Sequence, residues 1–175
     1  MANDYALVAY LGGELSEFAG KLRAELTPNH AQLRPHVTIL PPRQLALSEQ
    51  ATTDCLRNGC RQFAALRIGF EGIENFLPAN AAIYLGVRDG ARHLRSMHDQ
   101  LNSGELFFAE PWPYVPHLTL AHFEQAERVV AAVEIAKQRW RDYRGAREFL
   151  VEELTFVREQ REDCWEDLAT IPLGG

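Results

Sequence analysis

Cysteine is scarce in this sequence and cannot pair off. Cys55, Cys60 and Cys164 are odd in number and follow no zinc-ligand spacing, so the simple expectation is a reduced, cytoplasmic chain. No apolar run is long enough to span a bilayer, and no charged-then-apolar leader opens the sequence, so no membrane partner is expected. Excess positive charge is missing too. Eighteen Lys and Arg against 24 Asp and Glu give a net charge of −6. That balance argues against broad, salt-driven binding to a nucleic acid backbone, and DNA is not an expected partner. A local basic pocket is still allowed. A Gly-rich phosphate loop, a Ser-His-Asp order and a metal-binding motif are all lacking, so no metal and no cofactor is expected. What remains is an ordinary globular composition, 46% apolar and 24% charged over 175 residues, which suits a single domain, expected to be a monomer.

The informative feature is a hexapeptide written twice. Pro35-His36-Val37-Thr38-Ile39-Leu40 and Pro116-His117-Leu118-Thr119-Leu120-Ala121 both read Pro-His-apolar-Thr-apolar-apolar. In a strand, side chains alternate between faces. His36 and Thr38 therefore share one face, with Val37 and Ile39 on the other; His117 and Thr119 repeat this against Leu118 and Leu120. Each copy is a short strand with an apolar back and a polar front. The front carries a base that titrates near neutrality and a hydroxyl that can bond an anionic oxygen. Two such histidines suit acid–base chemistry, one accepting a proton and the other donating it. One His-x-Thr is commonly a packed histidine; two copies with the same preceding proline point to a shared site.

The rest of the chain repeats around these strands. Tyr5–Leu11 reads as a buried strand, and Ser16 can cap a helix to about Leu26, ended by Thr27-Pro28-Asn29. The first motif strand is closed by Pro41-Pro42. Ser48 can cap a second helix to about Phe63. Leu66–Phe76 reads as a strand that its glycines suggest is bulged. From Ala82 the order begins again: strand Ala82–Val87, a helix from Asp89-Gly90 to Gly104, a loop over Glu105–Pro116, the second motif strand, and a helix over about Ala126–Trp140. Phe149–Val157 and Trp165–Pro172 read as a closing antiparallel pair across the charged turn Glu159–Asp163. The expectation is an α+β fold in one domain, 1–175. It is bilobal, from duplicated halves of about 1–78 and 79–175 related by a pseudo-two-fold axis. The sheets are mainly antiparallel with outer helices, and the motif strands meet face to face in a central cleft.

With these marks the sequence resembles the two-histidine (2H) phosphoesterase superfamily, which includes bacterial 2′-5′ RNA ligase-like proteins and cyclic phosphodiesterases. The tetrapeptides His36-Val37-Thr38-Ile39 and His117-Leu118-Thr119-Leu120 carry the resemblance, with the prolines before both histidines and the Pro41-Pro42-Arg43 tail. The resemblance implies a metal-free reaction at a phosphodiester, often a 2′,3′-cyclic phosphate or a 2′-5′ linkage. It makes His36 and His117 the acid–base pair and Thr38 and Thr119 the phosphate ligands. A small nucleotide or an RNA end is the substrate it implies. Hydrolysis, ligation by the reverse chemistry, and a nucleotide-binding module without turnover all stay open, as does which histidine is the base.

Around the motifs other residues are candidates. Arg34 and Arg43 flank the first motif and could reach a phosphate, or could be solvated strand ends. In the loop before His117, Trp112 and Tyr114 could stack a nucleobase or fill a gap. Phe107 and Phe108 read as packing between the halves, and Tyr84 as core or cleft. His122, five residues after His117, should face the other side of the strand. It, His30, His93 and His98 read as ordinary surface or core histidines.

Overall fold

The alternation of the two motif strands is realised side by side in the middle of one sheet. A computed structural model of the chain describes residues 3–28, 33–161 and 164–174. Its elements are β1 (Tyr5–Tyr10), α1 (Gly13–Leu26), β2 (His36–Arg43), α2 (Glu49–Cys60), β3 (Leu66–Asn75), β4 (Ala82–Asp89), α3 (Ala91–Leu101), β5 (His117–His122), α4 (Ala126–Asp142), β6 (Glu148–Val151), β7 (Glu153–Arg161) and β8 (Cys164–Pro172). All eight strands form one antiparallel sheet in the order β6-β3-β4-β5-β2-β1-β7-β8. The motif strands β2 and β5 are its central neighbours, paired at Val37 and Leu118. The order is symmetric about that pair: β1 and β4 flank it, then β7 and β3, then β8 and β6. The fold is thus α+β with two lobes, but the motif strands adjoin in one sheet where the sequence suggested that they face each other across a gap.

The helices cover one face of the sheet. α1 packs on β5 and α3 on β2, so each helix that leads into one motif strand lies on the other; α4 covers β3 and β4, and α2 packs against β8. Val37, Ile39, Leu118 and Leu120 are fully buried in the core beneath the helices. Each such side chain contributes roughly 1.5–3 kcal/mol by its removal from water. The opposite face carries a small second cluster, Ala6, Val8 and Val157, against which Tyr10 and Trp165 pack. Among the described residues no helix is long and apolar enough to cross a membrane.

Several boundaries differ from expectation for physical reasons. α1 begins at Gly13, with Gly12 in the capping position, and Ser16 lies inside its first turn. Gly13 sits at φ +64°, a conformation that a side chain would resist, and the chain reverses there directly after β1. Ser48 does cap α2, its hydroxyl accepting from the Ala51 N–H at 3.2 Å. β2 runs on through Pro41-Pro42 to Arg43. Its pairing with β1 steps from Leu7–Leu40 to Tyr5–Arg43, so an extra residue bulges where the prolines cannot donate. β3 is bulged between Phe70 and Ile73, a step that spans Glu71 and Gly72. The largest difference is Phe149–Val157, which is two strands. They break at Glu152; β6 pairs with β3 at one edge of the sheet, while β7 lies between β1 and β8. A single intervening residue joins these distant positions, so the sheet must curl strongly. β7 and β8 form the expected hairpin; residues 162 and 163 of the expected turn lie outside the described residues, as do Asn29 and His30.

Because the Val37–Leu118 contact holds the two halves of the sheet in register, Leu118→Ala is expected to lower unfolding stability by about 2–5 kcal/mol. Urea titration followed by circular dichroism measures this, and an unshifted midpoint would refute a central role for the pair.

Candidate functional site

Antiparallel pairing at Val37–Leu118 dictates what lies on the uncovered face. Continuing that register sets His36 across from Thr119 and Thr38 across from His117. Residues directly opposite share a face, so all four polar side chains come together. The two histidines occupy one diagonal of the quartet, and such diagonal neighbours lie about 7–8 Å apart, somewhat less at Cβ. That spacing leaves room for one tetrahedral group between the rings. Flanking strands extend the surface: Tyr10 and Val8 of β1 lie beside His36 and Thr38, and Gly86 and Tyr84 of β4 lie beside His117 and Thr119.

Both rings are oriented by the same device. His36 Nδ1 lies 2.7 Å from the Arg34 carbonyl oxygen, and His117 Nδ1 lies 2.6 Å from the Val115 carbonyl oxygen. A carbonyl only accepts, so each Nδ1 carries a proton and each Nε2 is the nitrogen left for chemistry. The intervening prolines explain the repeat. A fixed φ holds the carbonyl two residues back beside the ring. The Pro35 and Pro116 carbonyls accept from the N–H groups of Leu11 at 3.0 Å and Val87 at 3.2 Å, tying both bends to the neighbouring strands.

The surroundings of the two rings differ. His36 opens onto a cleft of about 240 Å³ with Thr38, Thr119, Arg23 and Arg34 in its walls. Burial pushes its pKa down to about 4; the bond to the Arg34 carbonyl pulls it up, and the Arg23, His117 and Arg34 charges each add a smaller downward push. His117 sits at the margin, bracketed by Phe76 at 4.8 Å and Tyr84 at 5.2 Å between ring centroids. Burial lowers its pKa too, with His122 adding to the effect. Both rings therefore favour the neutral form, and His36 alone faces two guanidinium groups.

Of the candidates from sequence, His36, His117, Thr38, Thr119 and Tyr84 come together. Tyr84 stacks on Phe76 at 4.1 Å and donates to Glu74 at 3.0 Å. Three others are elsewhere. Arg43 shares the helix-covered side with its partner Tyr5; it is buried, paired with Glu110 and bonded to Asn102 at 2.7 Å. It does not reach the cleft. Tyr114 stacks flat on His98 at 4.2 Å and donates to the Thr38 carbonyl at 2.8 Å. Its ring and hydroxyl are thus engaged in holding β2, and burial pushes its pKa well up. Trp112 is exposed and lies with Tyr114 beside a separate hollow near α3. Phe107 is 64% exposed and so plugs no gap between the halves. His98 is a buried histidine between Asp99 and Glu110, and His93 is exposed on α3.

His122 reverses an expectation. Strict alternation from His117 would turn it away, yet it lines the same cleft as His36 and Thr119. The pairing with β4 steps from Tyr84–Thr119 to Ile83–Ala121. Two residues of β5 are matched to one of β4, a bulge that resets the alternation. Arg23, Tyr10 and Trp165 were also missed. Arg23 left a signal in the sequence, since it falls on the buried face of α1 with Leu15, Ala19, Leu22 and Leu26. It donates to the carbonyls of Leu33 and Thr119, bracing the second motif. Arg34, by contrast, lies over the Tyr10 ring at 3.6 Å and pairs with Asp167 at 3.0 Å. Among the described residues no group of three or more His, Cys, Asp or Glu side chains could hold a metal ion.

Known proteins resemble this chain in sequence and in fold. A protein of Bacillus licheniformis, provisionally named a phosphoesterase, is 25% identical over 118 residues, covering 67% of this chain and 69% of its own. One from Staphylococcus epidermidis with the same provisional name is 24% identical over 151 residues, covering 83% and 85%. The crystal structure of E. coli LigT complexed with 3′-AMP matches with a TM-score of 0.65 at 15% identity, over the whole of both chains. The family model for the 2′-5′ RNA ligase superfamily matches residues 12–163. The chain belongs to the 2′-5′ RNA ligase superfamily, among the two-histidine phosphoesterases.

Proposed function

We propose that this chain is a metal-independent phosphodiesterase for 2′,3′-cyclic or 2′-5′-linked phosphates of nucleotides or RNA ends. The observation that supports it most is the diagonal quartet, two imidazoles oriented through Nδ1 and two threonines on one face of the paired motif strands. An in-line displacement needs a base at the attacking oxygen and an acid at the leaving oxygen. His36, held neutral by burial and two guanidiniums, is the base. It takes a proton from water as the water oxygen bonds to phosphorus. The bond to the ribose oxygen breaks, and His117, as imidazolium, gives that oxygen its Nε2 proton. Thr38 and Thr119 donate to the non-bridging oxygens as charge builds there. Tyr10, Trp165 and the apolar floor of Ala6, Val8 and Val157 suit the nucleoside, with Tyr84 on the His117 side.

The related structures of E. coli LigT complexed with 3′-AMP and with ATP favour a nucleotide-sized ligand. The superfamily's description favours a second reading, end joining through a 2′-5′ bond, in which the same residues exchange roles. The proposed setting is a monomer in the cytoplasm, one domain over 1–175 with pseudo-repeat halves of about 1–78 and 79–175.

Hydrolysis of a 2′,3′-cyclic nucleotide is expected to proceed in EDTA. His36→Ala or His117→Ala should each abolish most of it, and the double variant should add little, because neither ring transfers a proton without the other. Losses that multiply in the double variant would show two independent roles. Thr38→Ala and Thr119→Ala should each lower kcat/KM about ten- to a hundredfold, roughly 1.5–3 kcal/mol for a hydrogen bond to a charged oxygen. Unchanged values would mean the hydroxyls do not meet the phosphate.

The pH profile of kcat/KM has a worked sign. His36, with its pKa pushed down to about 4, is lost as base only below that pH. His117, lowered from 6.5, is lost as acid before that ordinary value is reached. The profile should be a bell whose limbs belong to the pair, with its maximum between about 4 and 6.5. A maximum above pH 8 would show that burial does not hold the two rings toward the neutral form.

A further inference from the structure

Each motif strand is joined to its outer neighbour over a longer stretch than to the other motif strand. β1 pairs with β2 from Tyr10–His36 to Tyr5–Arg43, and β4 with β5 from Gly86–His117 to Ala82–His122. Across the seam between β2 and β5 the pairing holds at Val37–Leu118 and goes no further among the described residues. Side chains finish the seam at both ends. The Pro35 and Pro116 carbonyls turn outward, to the N–H groups of Leu11 and Val87. Carbonyls alternate sides along a strand, so those of Thr38 and Thr119, three residues on, turn inward to the seam. In a regular ladder Thr38 would exchange bonds with His117, and Thr119 with His36, at about 5.5 Å between Cα atoms. Here a side chain from the other half takes each carbonyl. The Tyr114 hydroxyl donates to that of Thr38 at 2.8 Å, and the Arg23 guanidinium donates to that of Thr119 at 2.7 Å.

We propose that Tyr114 is a positioning residue for the reaction: its hydroxyl stands in for the ladder bond between Thr38 and His117, and so sets the spacing of these two groups across the seam. This rests on the reading of the quartet as a phosphodiesterase centre. The donor itself is held firmly. Its ring lies flat on His98, with centroids 4.2 Å apart and planes 2° from parallel. His98 is bonded in turn to Asp99 at 2.9 Å and to Glu110 at 3.1 Å. Burial pushes the phenol pKa well up, so the hydroxyl keeps its proton where His36 and His117 change charge. Tyr114 does not line the cleft, and it acts on the reaction only through the strand that carries Thr38. A shift of that strand moves Thr38 and His36 together against His117. A misplacement of about 1 Å in such a site costs on the order of a hundredfold in rate.

Tyr114→Phe keeps the ring and removes the donor. Wild type, Tyr114→Phe, Thr38→Ala and the double variant are assayed on one 2′,3′-cyclic nucleotide, with rates referred to the folded fraction measured by circular dichroism. Tyr114→Phe is expected to lower kcat about tenfold or more and to leave KM within about twofold, because the cleft walls suited to the nucleoside belong to β1, β7 and β8. The loss should shrink in the Thr38→Ala background, since the hydroxyl acts by placing that threonine. A bond that only adds stability would leave kcat per folded molecule unchanged. That result, a loss confined to KM, losses that multiply in the double variant, or a Tyr114→Phe protein that does not fold each overturns the positioning role and leaves the phosphodiesterase reading in place. Wild type that does not turn the nucleotide over overturns that reading, and the positioning role with it.

Discussion

One cross-strand contact, Val37 against Leu118, determines where everything else in the site must be. Both side chains are fully buried, so hydrophobic burial on the covered face fixes the register on the uncovered one. A slip by one residue would drive His36, Thr38, His117 and Thr119 into the core and bring four aliphatic side chains to the surface. The energetics of packing and the geometry of chemistry are thus a single constraint, expressed on opposite faces of the same two strands. The crosswise helices strengthen it, since α1 bears on β5 and α3 on β2. Neither motif strand can shift without displacing the helix that belongs to the other.

Electrostatics divides what symmetry makes equal. The two histidines share a tautomer and an orienting bond, yet one faces guanidiniums and the other aromatic rings. Phe76 and Tyr84 contribute surface and some ring polarity but no net charge. Arg23 and Arg34 contribute two positive charges in a partly enclosed cleft, where screening by water is weaker. A pseudo-symmetric pair thereby becomes a directional one. The fully engaged groups behind β2, Arg43 with Glu110 and Tyr114 with His98, keep the supporting loop in place without adding charge to the cleft.

How much of this was legible in the sequence depends on the range of the interactions involved. Alternation is local, so His36 and Thr38 against Val37 and Ile39 could be read directly, as could the Ser48 cap. Strand pairing is not local. Nothing in Phe149–Val157 signals that Glu152 divides two strands at separate places in the sheet, because the break is imposed by curvature. The side of the strand on which His122 lies follows from a mismatch with β4 that neither strand encodes alone. Arg43 looked available because its partner, Glu110, is 67 residues away. The residues that sequence reasoning missed at the cleft, Tyr10, Trp165 and Arg23, come from other elements and meet the motifs only in three dimensions.

The groups that hold the two imidazoles are peptide carbonyls, those of Arg34 and Val115. In many histidine sites a carboxylate does this work, and its negative charge also raises the basicity of the ring. A carbonyl fixes the tautomer but brings no full charge, so each ring stays easy to deprotonate. It also has no side chain to lose. Substitution at Arg34 or Val115 leaves the acceptor atom in the chain, and only a change that re-routes the backbone, such as replacement of Pro35 or Pro116, can withdraw it. The orientation of the reactive nitrogens is therefore buffered against genetic drift at the positions that supply it, and the surrounding side chains can vary with the substrate while the proton-transfer geometry persists.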